Sequence, residues 1–332
     1  MGNSVSGHRE VTVMTVNVYF GTDLGVLFAA KDLPELLEGV GNAWAEVQAT
    51  DIPGRAASIA HEIASATPDV VSLQEVVQWS TGAPGAMSPK FDFLLLILEA
   101  LRNEGCFYTP IAISKDLDQS GPLDTNGNFA RIEDRHAVLI RIEPPPTKVR
   151  PYNAQTHAFS KVFAIGSPLL GSLTVPRSWI AVDAMLDDRK FRLVETHLES
   201  MDEAVQLAQE RELVAALAST ESPIIVIGDF NSNGNQQPGV PDNTATYPEL
   251  LAAGFSDAWA AVNRDDPGNT CCNAADLRNS VSALNRRLDF ILTRGAITPL
   301  SARLVAAEPA ARTPSGLWPT DHAGLLAKLR FD

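Results

Sequence analysis

The sequence predicts a layered α/β domain with mixed β-sheets, and the order of its strand and helix patterns is the main reason. Strand patterns outnumber helix patterns, and the helices stand between groups of strands instead of alternating with them one for one. This arrangement is typical of stacked sheets and helices and disfavours a regular βαβ barrel. The chain shows no internal repeat, no low-complexity segment and no linker long enough to divide it. We therefore expect one domain over residues 11–332, after a polar leader at residues 1–10.

Strands are predicted where apolar residues alternate with polar ones or where β-branched residues run together. In chain order they are expected at 11–20, 70–77, 107–113, 136–142, 158–165, 178–186, 191–196, 224–227, 288–293, 302–305 and 324–331. The segment 224–227 is apolar throughout, as is usual for a strand that is buried on both faces. The prolines at 144–146 end the strand before them, because proline has no backbone N–H to donate.

Helices are predicted where apolar residues recur every three or four positions. They are expected at 54–67, 91–104, 204–218 and 247–253. Between residues 21 and 50 the same spacing indicates one or two short amphipathic helices. Three polar segments, 116–128, 234–246 and 265–285, are expected to be loops.

The composition is that of a globular protein with enough apolar material for a sizeable core, since 45% of its 332 residues are hydrophobic and 20% are charged. No apolar run approaches the roughly 20 residues that a membrane-spanning helix needs. The formal net charge is −14. Proteins that bind nucleic acid mainly through its phosphate backbone usually carry a basic face. The bulk charge therefore argues mildly against nucleic acid as a partner, although a bound metal and a few local arginines would offset it at the site.

Polar side chains suited to metal and proton chemistry interrupt six predicted strands or lie at their ends. They are Asn17, Glu75, His197, Asp229 with Asn231, Asp289, and Asp321 with His322. An ionised carboxylate in a buried strand costs several kcal/mol unless it is partnered, so we expect these strand ends to converge around a cation. Oxygen ligands without thiolates favour Mg²⁺ or Mn²⁺ over structural zinc. Each residue taken singly could equally belong to a turn or a helix cap, and it is the recurrence of the pattern that favours a site.

These residues fall within six short motifs. In order they are Thr15-Val-Asn17, Leu73-Gln-Glu75, Thr196-His-Leu198, Gly228-Asp-Phe-Asn231, Arg287-Leu-Asp-Phe290 and Thr320-Asp-His322. Together they resemble the signature of the endonuclease/exonuclease/phosphatase superfamily, which includes deoxyribonuclease I-like nucleases, bacterial sphingomyelinases and inositol polyphosphate 5-phosphatases. The resemblance spans residues 11–331. It implies a four-layer sandwich in which two mixed β-sheets pack face to face with helices on the outside.

The resemblance also implies a metal site. By position, Glu75 would be the principal metal ligand, with Asn17 beside it and Asp321 close by. Asp229, a further ligand, would hold the attacking water or a second metal together with Asn231. The implied cofactor is Mg²⁺, with Mn²⁺ or Ca²⁺ as alternatives.

Catalytic and substrate-binding roles follow from the same resemblance. His322 would act as the acid or base, and Asp289 would fix its tautomer. His197 would donate to a phosphoryl oxygen, and Asn231 would contact the phosphate. Arg135 falls where relatives often have an arginine or asparagine near the phosphate.

The expected function is therefore divalent-metal-dependent hydrolysis of a phosphodiester by in-line attack of an activated water. Apolar residues just beyond Asn17, at 24 and 26–28, are expected to rim the pocket beside the loop 269–273 and to favour a small or lipid-like substrate. This apolar segment is equally consistent with a helix that merely covers the sheet. Two alternatives stay open, a nuclease acting on DNA or RNA and a non-catalytic binding module.

The three cysteines form no disulfide framework, since their number is odd. The adjacent pair Cys271-Cys272 could form a vicinal bridge, but two free thiols in a loop are the expected state. No signal peptide is visible. The first strand begins near Val11 after a short polar leader, as in a mature enzyme whose signal has been removed, so a secreted protein is favoured over a cytoplasmic one.

Overall fold

Strands dominate the chain, and most of them lie where the apolar patterns indicate. The computed structural model describes residues 9–169 and 171–332, so most of the expected polar leader lies outside the described residues. The strands are β1 Glu10–Asn17, β2 Val70–Gln74, β3 Gln78–Gly82, β4 Ser88–Asp92, β5 Phe107–Pro122, β6 Phe129–Glu143, β7 Val149–Ala158, β8 Phe163–Ser167, β9 Gly171–Val175, β10 Ser178–Leu186, β11 Arg189–His197, β12 Ile224–Asp229, β13 Ser256–Asp257, β14 Asp289–Arg294, β15 Ile297–Val305 and β16 Gly324–Phe331. The helices are α1 Gly25–Phe28, α2 Leu33–Ala49, α3 Ile52–Ala66, α4 Phe93–Asn103, α5 Glu203–Leu217, α6 Thr246–Ala252 and α7 Ala258–Val262, with a 3₁₀ turn at Pro309–Ala311.

The strands form two mixed sheets and a separate hairpin. The first sheet has eight strands in the order β15-β16-β1-β2-β6-β3-β4, with β5 paired to β6. The second has six in the order β13-β14-β12-β11-β10-β7, and β8 pairs with β9. Each sheet contains a parallel pair among antiparallel neighbours, β1 with β2 and β11 with β12. The prediction of mixed sheets is confirmed.

Apolar clusters join the sheets to each other and to the helices. Between the sheets, Val11 and Val13 of β1 pack in one cluster with Ile225 and Ile227 of β12. On the outer face of the first sheet, a second cluster joins β1 and β2 to α3 and α4. On the outer face of the second sheet, a third joins β11, β12 and β14 to α5 and α6. The resulting order of helix, sheet, sheet and helix confirms the four-layer sandwich.

Side-chain alternation carries polar residues of the motifs to one end of this inner core. Val13 faces the second sheet, so Asn17, four residues later in β1, faces it as well. Ile227 faces the first sheet, and Asp229 follows it on the same side of β12. Because β1 runs parallel to β2, and β11 to β12, their carboxyl ends lie together. The fold therefore collects strand-end side chains in the gap between the sheets.

The predicted loop at 116–128 is wrong. The strand β5 continues to Pro122 and pairs along its length with β6, which begins at Phe129. Charged side chains bond across this ribbon, where Arg131 donates two hydrogen bonds of 2.6 Å to Asp118. A strand that carries such pairs lacks the apolar alternation by which strands are recognised in sequence.

Other strand boundaries also differ from the prediction. The single strand expected at 158–165 is wrong, since β7 ends at Ala158 and β8 begins at Phe163. The short strands β3 and β4, which had no predicted counterpart, form an antiparallel pair beside β6. Pairing with a long neighbour stabilises them, and a single sequence does not reveal such a neighbour. Among the described helices, none is both long enough and apolar enough to cross a membrane.

Candidate active site

An open pocket of about 450 Å³ lies where these strand ends meet. The predicted site residues that line it are Asn17, Glu75, His197, Asp229, Asn231, Asp321 and His322. Asp289 is fully buried behind His322, to which it is hydrogen-bonded. The fold thus brings together residues that lie far apart in the chain.

Strand register in the second sheet sets three of these side chains next to one another. His197, the last residue of β11, is paired with Asp229, the last residue of β12. Asp229 is in turn paired with Asp289, the first residue of β14. Three neighbouring strands therefore present one imidazole and two carboxylates at a single level of the sheet.

Glu75 reaches the pocket through an unusual backbone conformation. Leu73, two residues earlier, belongs to the outer cluster under the helices, so simple alternation would point Glu75 outward. Instead Glu75 has a φ of 58°, a region that costs energy for a residue other than glycine. Its carboxylate accepts hydrogen bonds from Asn17 Nδ2 at 3.0 Å and from the Phe20 backbone N–H at 2.9 Å. Such positions cluster at ligand sites, where surrounding contacts hold them in place.

The carboxylates of the pocket are crowded and buried. Asn17 Nδ2 bridges Glu75 Oε1 and Asp229 Oδ2, at 3.0 Å from each. Burial, together with the charges of Asp134 and Asp321, raises the pKa of Glu75 to about 8. Burial and the charge of Asp289 raise the pKa of Asp229 to about 6. Negative charge at this point is therefore unfavourable in the protein alone, and a bound cation would relieve it.

Two histidines flank the Asp229 carboxylate, and their surroundings differ in charge. His322 Nε2 lies 3.8 Å and His197 Nε2 lies 3.7 Å from Asp229 Oδ2. Although burial favours the neutral ring, Asp289, Asp321 and Asp229 hold the pKa of His322 well above its usual value. Burial and the neighbouring Arg177 guanidinium hold the pKa of His197 well below its usual value. The two imidazoles therefore differ in basicity, His322 holding a proton more strongly than His197.

Asp229, Asp289 and His322 lie close enough together to offer ligand atoms to one metal ion. One ligand atom from each of Asp229, Asp289 and His322 lies within 4.8 Å of the other two. All three residues are buried, and Asp289 Oδ1 has no hydrogen-bond partner among the described residues.

Asn231 is held at the pocket by backbone contacts around it. Its φ is 50°, a conformation that asparagine tolerates better than most residues. Its Nδ2 donates to the Leu198 carbonyl at 3.0 Å, and its own N–H donates to Asp229 Oδ1 at 2.9 Å. Gln206 Nε2 donates to the Asn231 carbonyl at 2.8 Å. These bonds fix the turn that follows β12.

Arg177 lines the pocket and was missed by sequence reasoning. It lies just before β10, and because β10 runs antiparallel to β11, the start of β10 adjoins the end of β11 at His197. The Arg177 side chain is buried, with Nη1 3.1 Å from His197 Nδ1 and Nε 3.7 Å from a Glu199 oxygen. Its Nε has no hydrogen-bond partner among the described residues. An arginine directly before a predicted buried strand was the available indication.

Arg135 does not line the pocket. Its guanidinium forms an ion pair of 2.7 Å with Asp92 and donates from Nε to the Val76 carbonyl at 3.0 Å. Its neighbour Asp134 does line the pocket, because adjacent side chains of β6 point to opposite faces. Among the described residues that line the pocket, the arginine is Arg177.

The side chains of Cys271 and Cys272 bring their sulfurs into contact within one loop. The loop is fixed on both sides of the pair. The Cys271 N–H donates to the Arg286 carbonyl at 2.9 Å, and the Asn273 N–H donates to the Asp321 carbonyl at 2.7 Å. These contacts hold the two neighbouring sulfurs together beside His322.

A family model and several solved structures match the chain. The model of the Endonuclease/Exonuclease/phosphatase family matches residues 14–322, which include all six motifs. A comparison with curated proteins found no match.

The solved structures are similar over nearly the whole chain. An endonuclease/exonuclease/phosphatase from Beutenbergia cavernae has 19% identity and a TM-score of 0.58, over 97% of this chain and 72% of that one. Another from Bacteroides vulgatus has 16% identity and a TM-score of 0.58, over 97% and 99%. A humanized TDP2 from D. rerio has 17% identity and a TM-score of 0.56, over 97% and 99%. At these identities the likeness shows the fold alone.

Proposed function

This chain belongs to the endonuclease/exonuclease/phosphatase family, and from that premise we propose that it is a divalent-metal-dependent phosphodiesterase. The observation that carries the proposal is the convergence of Glu75, Asp229 and His322 in one pocket. Together these residues supply oxygen donors for a hard cation and groups able to move a proton.

The residues present fit a magnesium or manganese ion. Asn17, Glu75, Asp229 and Asp321 would hold it, and their oxygens are the donors that such ions prefer. The pKa of Glu75 is raised to about 8 because the carboxyl group is buried beside other carboxylates. A bound cation would stabilise its ionised form. When bound, the ion supplies positive charge that offsets charge on the phosphoryl oxygens.

Asp229 and His322 would carry the proton transfers. The distances of 3.7 and 3.8 Å from Asp229 to the two imidazoles exceed direct hydrogen bonds. All three side chains line the open pocket, where a water or a phosphoryl oxygen would contact them. In the proposed reaction Asp229 takes a proton from the attacking water as the new oxygen–phosphorus bond forms. His322, oriented by Asp289, gives a proton to the leaving oxygen as the old ester bond breaks.

Three other side chains would bind the phosphate. His197, Arg177 and Asn231 line the pocket around Asp229. Arg177 and His197 would donate to non-bridging oxygens, whose charge must be neutralised in the transition state. We assign to Arg177 the phosphate contact first expected of Arg135, because Arg177 lines the pocket whereas Arg135 is paired with Asp92 and does not.

Hydrolysis of bis-p-nitrophenyl phosphate, with and without EDTA and with added Mg²⁺ or Mn²⁺, tests the proposal. We expect metal-dependent turnover, loss of nearly all of it in Asp229→Asn, and unchanged turnover in the exposed control Asp265→Asn. Near-normal activity of folded Asp229→Asn would refute the role of this residue. Failure of the wild-type protein to turn over the diester with either metal would refute the function.

A small or lipid-like diester is the favoured substrate class, because the net charge of −14 disfavours a polyanion. Plasmid, single-stranded DNA, RNA and sphingomyelin assayed in parallel distinguish this class from a nuclease. Faster hydrolysis of a nucleic acid than of every small or lipid diester would make the protein a nuclease.

A further inference from the structure

A second cavity opens beside the catalytic pocket, and its walls are mainly apolar. It has a volume of about 90 Å³ and lies between α2 and the strands β3, β5 and β6. Its larger apolar side chains include Leu24, Phe28, Trp44, Trp79, Leu117 and Ile132. Of the described residues that line it, none is charged. Such a surface does not attract a phosphate, but it does favour a hydrocarbon group.

The cavity and the catalytic pocket share a wall. Leu24, Phe28 and Leu117 each line both. A group esterified to a phosphate that is held near Asp229 would therefore contact the same three side chains that border the cavity. The side chains of Val26 and Leu27, which were also expected at this rim, fall outside the described ones.

Hydrogen bonds and ring contacts hold the tryptophans of the cavity and the segment after β1 in place. Trp79 Nε1 donates to the Phe20 carbonyl at 3.0 Å, so its polar atom is satisfied and its ring is left to pack. The Trp44 and Trp79 rings lie 6.1 Å apart. Thr22 Oγ1 donates to Glu46 at 2.6 Å and ties the chain after β1 to α2. Because these side chains are already held in place, a ligand that binds in the cavity loses little free energy in ordering them.

We propose that this cavity binds the alkyl chain of the phosphodiester substrate, an inference that rests on the proposed function. Its volume of about 90 Å³ is several times that of one water. It is smaller than a dry apolar cavity of roughly 150 Å³ that accommodates benzene. A slim methylene chain therefore fits better than a nucleobase or another aromatic ring. Each methylene buried is expected to raise kcat/KM roughly fourfold until the cavity is full.

A series of p-nitrophenyl alkyl phosphates, from methyl to hexyl, tests this directly with the full chain and Mn²⁺. In the wild-type protein kcat/KM should rise with chain length and then level off. Ala43→Leu places three extra carbons in the cavity from α2 and should reduce the hexyl-to-methyl ratio at least tenfold. The matched control, Ala45→Leu, makes the same change at an exposed position of the same helix and should leave the ratio unchanged.

A binding measurement separates failure of this inference from failure of the proposed function. Wild-type protein is titrated calorimetrically with hexylphosphonate and methylphosphonate, which needs no variant to fold. The cavity predicts tighter binding of the hexyl compound by at least tenfold. If turnover occurs but does not depend on chain length, alkyl-chain binding by the cavity is refuted and the proposed phosphodiesterase function is not affected. If no diester is hydrolysed, the proposed function is refuted. Equal affinities for the two phosphonates would refute alkyl-chain binding by the cavity as well.

Discussion

His322 and Asp289 are joined by a hydrogen bond of 2.8 Å between Nδ1 and Oδ2, and this contact leaves Nε2 facing Asp229. The two residues come from different parts of the second half of the chain, the entry to β16 and the start of β14. The contact sets both the orientation and the charge of the imidazole, because Asp289 is the strongest of the carboxylates that hold the pKa of His322 above its usual value.

Asp289→Asn should therefore lower kcat by about 100-fold or more while changing KM little, since general acid–base catalysis contributes 10²–10⁴. The amide cannot stabilise the imidazolium and does not fix the tautomer. The measurement is kcat and KM for bis-p-nitrophenyl phosphate across pH. A variant with normal kcat and an unshifted pH profile would show that Asp289 does not act through His322.

Arg177→Lys should lower kcat/KM by roughly tenfold to a hundredfold, which corresponds to one charge-assisted hydrogen bond. Lysine keeps the charge beside Glu199 but lacks the planar fork with which arginine binds phosphate oxygens. Steady-state kinetics check this, with Arg211→Lys as the exposed control. Equal values of kcat/KM in the two variants would show that Arg177 does not bind the phosphate.

Metal binding should raise the midpoint of thermal unfolding, and this readout does not depend on turnover. At a Mn²⁺ concentration 100 times the dissociation constant, linkage predicts about 2.7 kcal/mol of added stability. Glu75→Gln should lose most of that gain, whereas the exposed control Glu221→Gln should keep it. An undiminished shift in Glu75→Gln would mean that the ion binds elsewhere.

His136 should contribute to stability in a pH-dependent way. Its ring is fully buried, with Nε2 2.5 Å from Asp116 and Nδ1 3.1 Å from Glu195. Burial favours the neutral ring, but the two carboxylates hold the pKa of His136 well above its usual value of 6.5. The contribution is therefore complete below about pH 6.5 and declines as the pH rises through the folded-state pKa.

His136→Gln should cost about 3–5 kcal/mol at low pH, because it breaks a buried ion pair. Urea unfolding between pH 5.5 and pH 8.5, about a unit or more either side of the ordinary histidine pKa, measures the difference from wild type, with the exposed His61→Gln as control. We expect the difference to narrow as the pH rises. A difference that widens with pH would mean that the buried ring is neutral.

Much of the fold follows from local patterns. The strands at Ser178–Leu186 and Gly324–Phe331 have the predicted bounds, because their burial follows from runs of apolar residues that one strand carries by itself. The predicted strand at 107–113 is shorter than β5, because the second half of β5 is polar and forms a strand only by pairing with β6.

Sequence patterns alone place Asn17, Glu75, Asp229 and His322 next to the apolar runs of the inner strands. They do not give the strand ends, since β1 ends at Asn17 and β2 at Gln74, before the predicted limits of 20 and 77. The cost of burying an unpartnered carboxylate is a local rule, and it predicts that these side chains meet in an oxygen-rich pocket. Alternation alone would point Glu75 outward, and its backbone φ of 58° turns it inward.

That Arg177 lines this pocket and Arg135 does not follows from the tertiary packing. It also decided that an apolar cavity adjoins it. Both outcomes depend on which strands and helices become neighbours across the gap between the sheets, and that choice is made by packing over the whole chain.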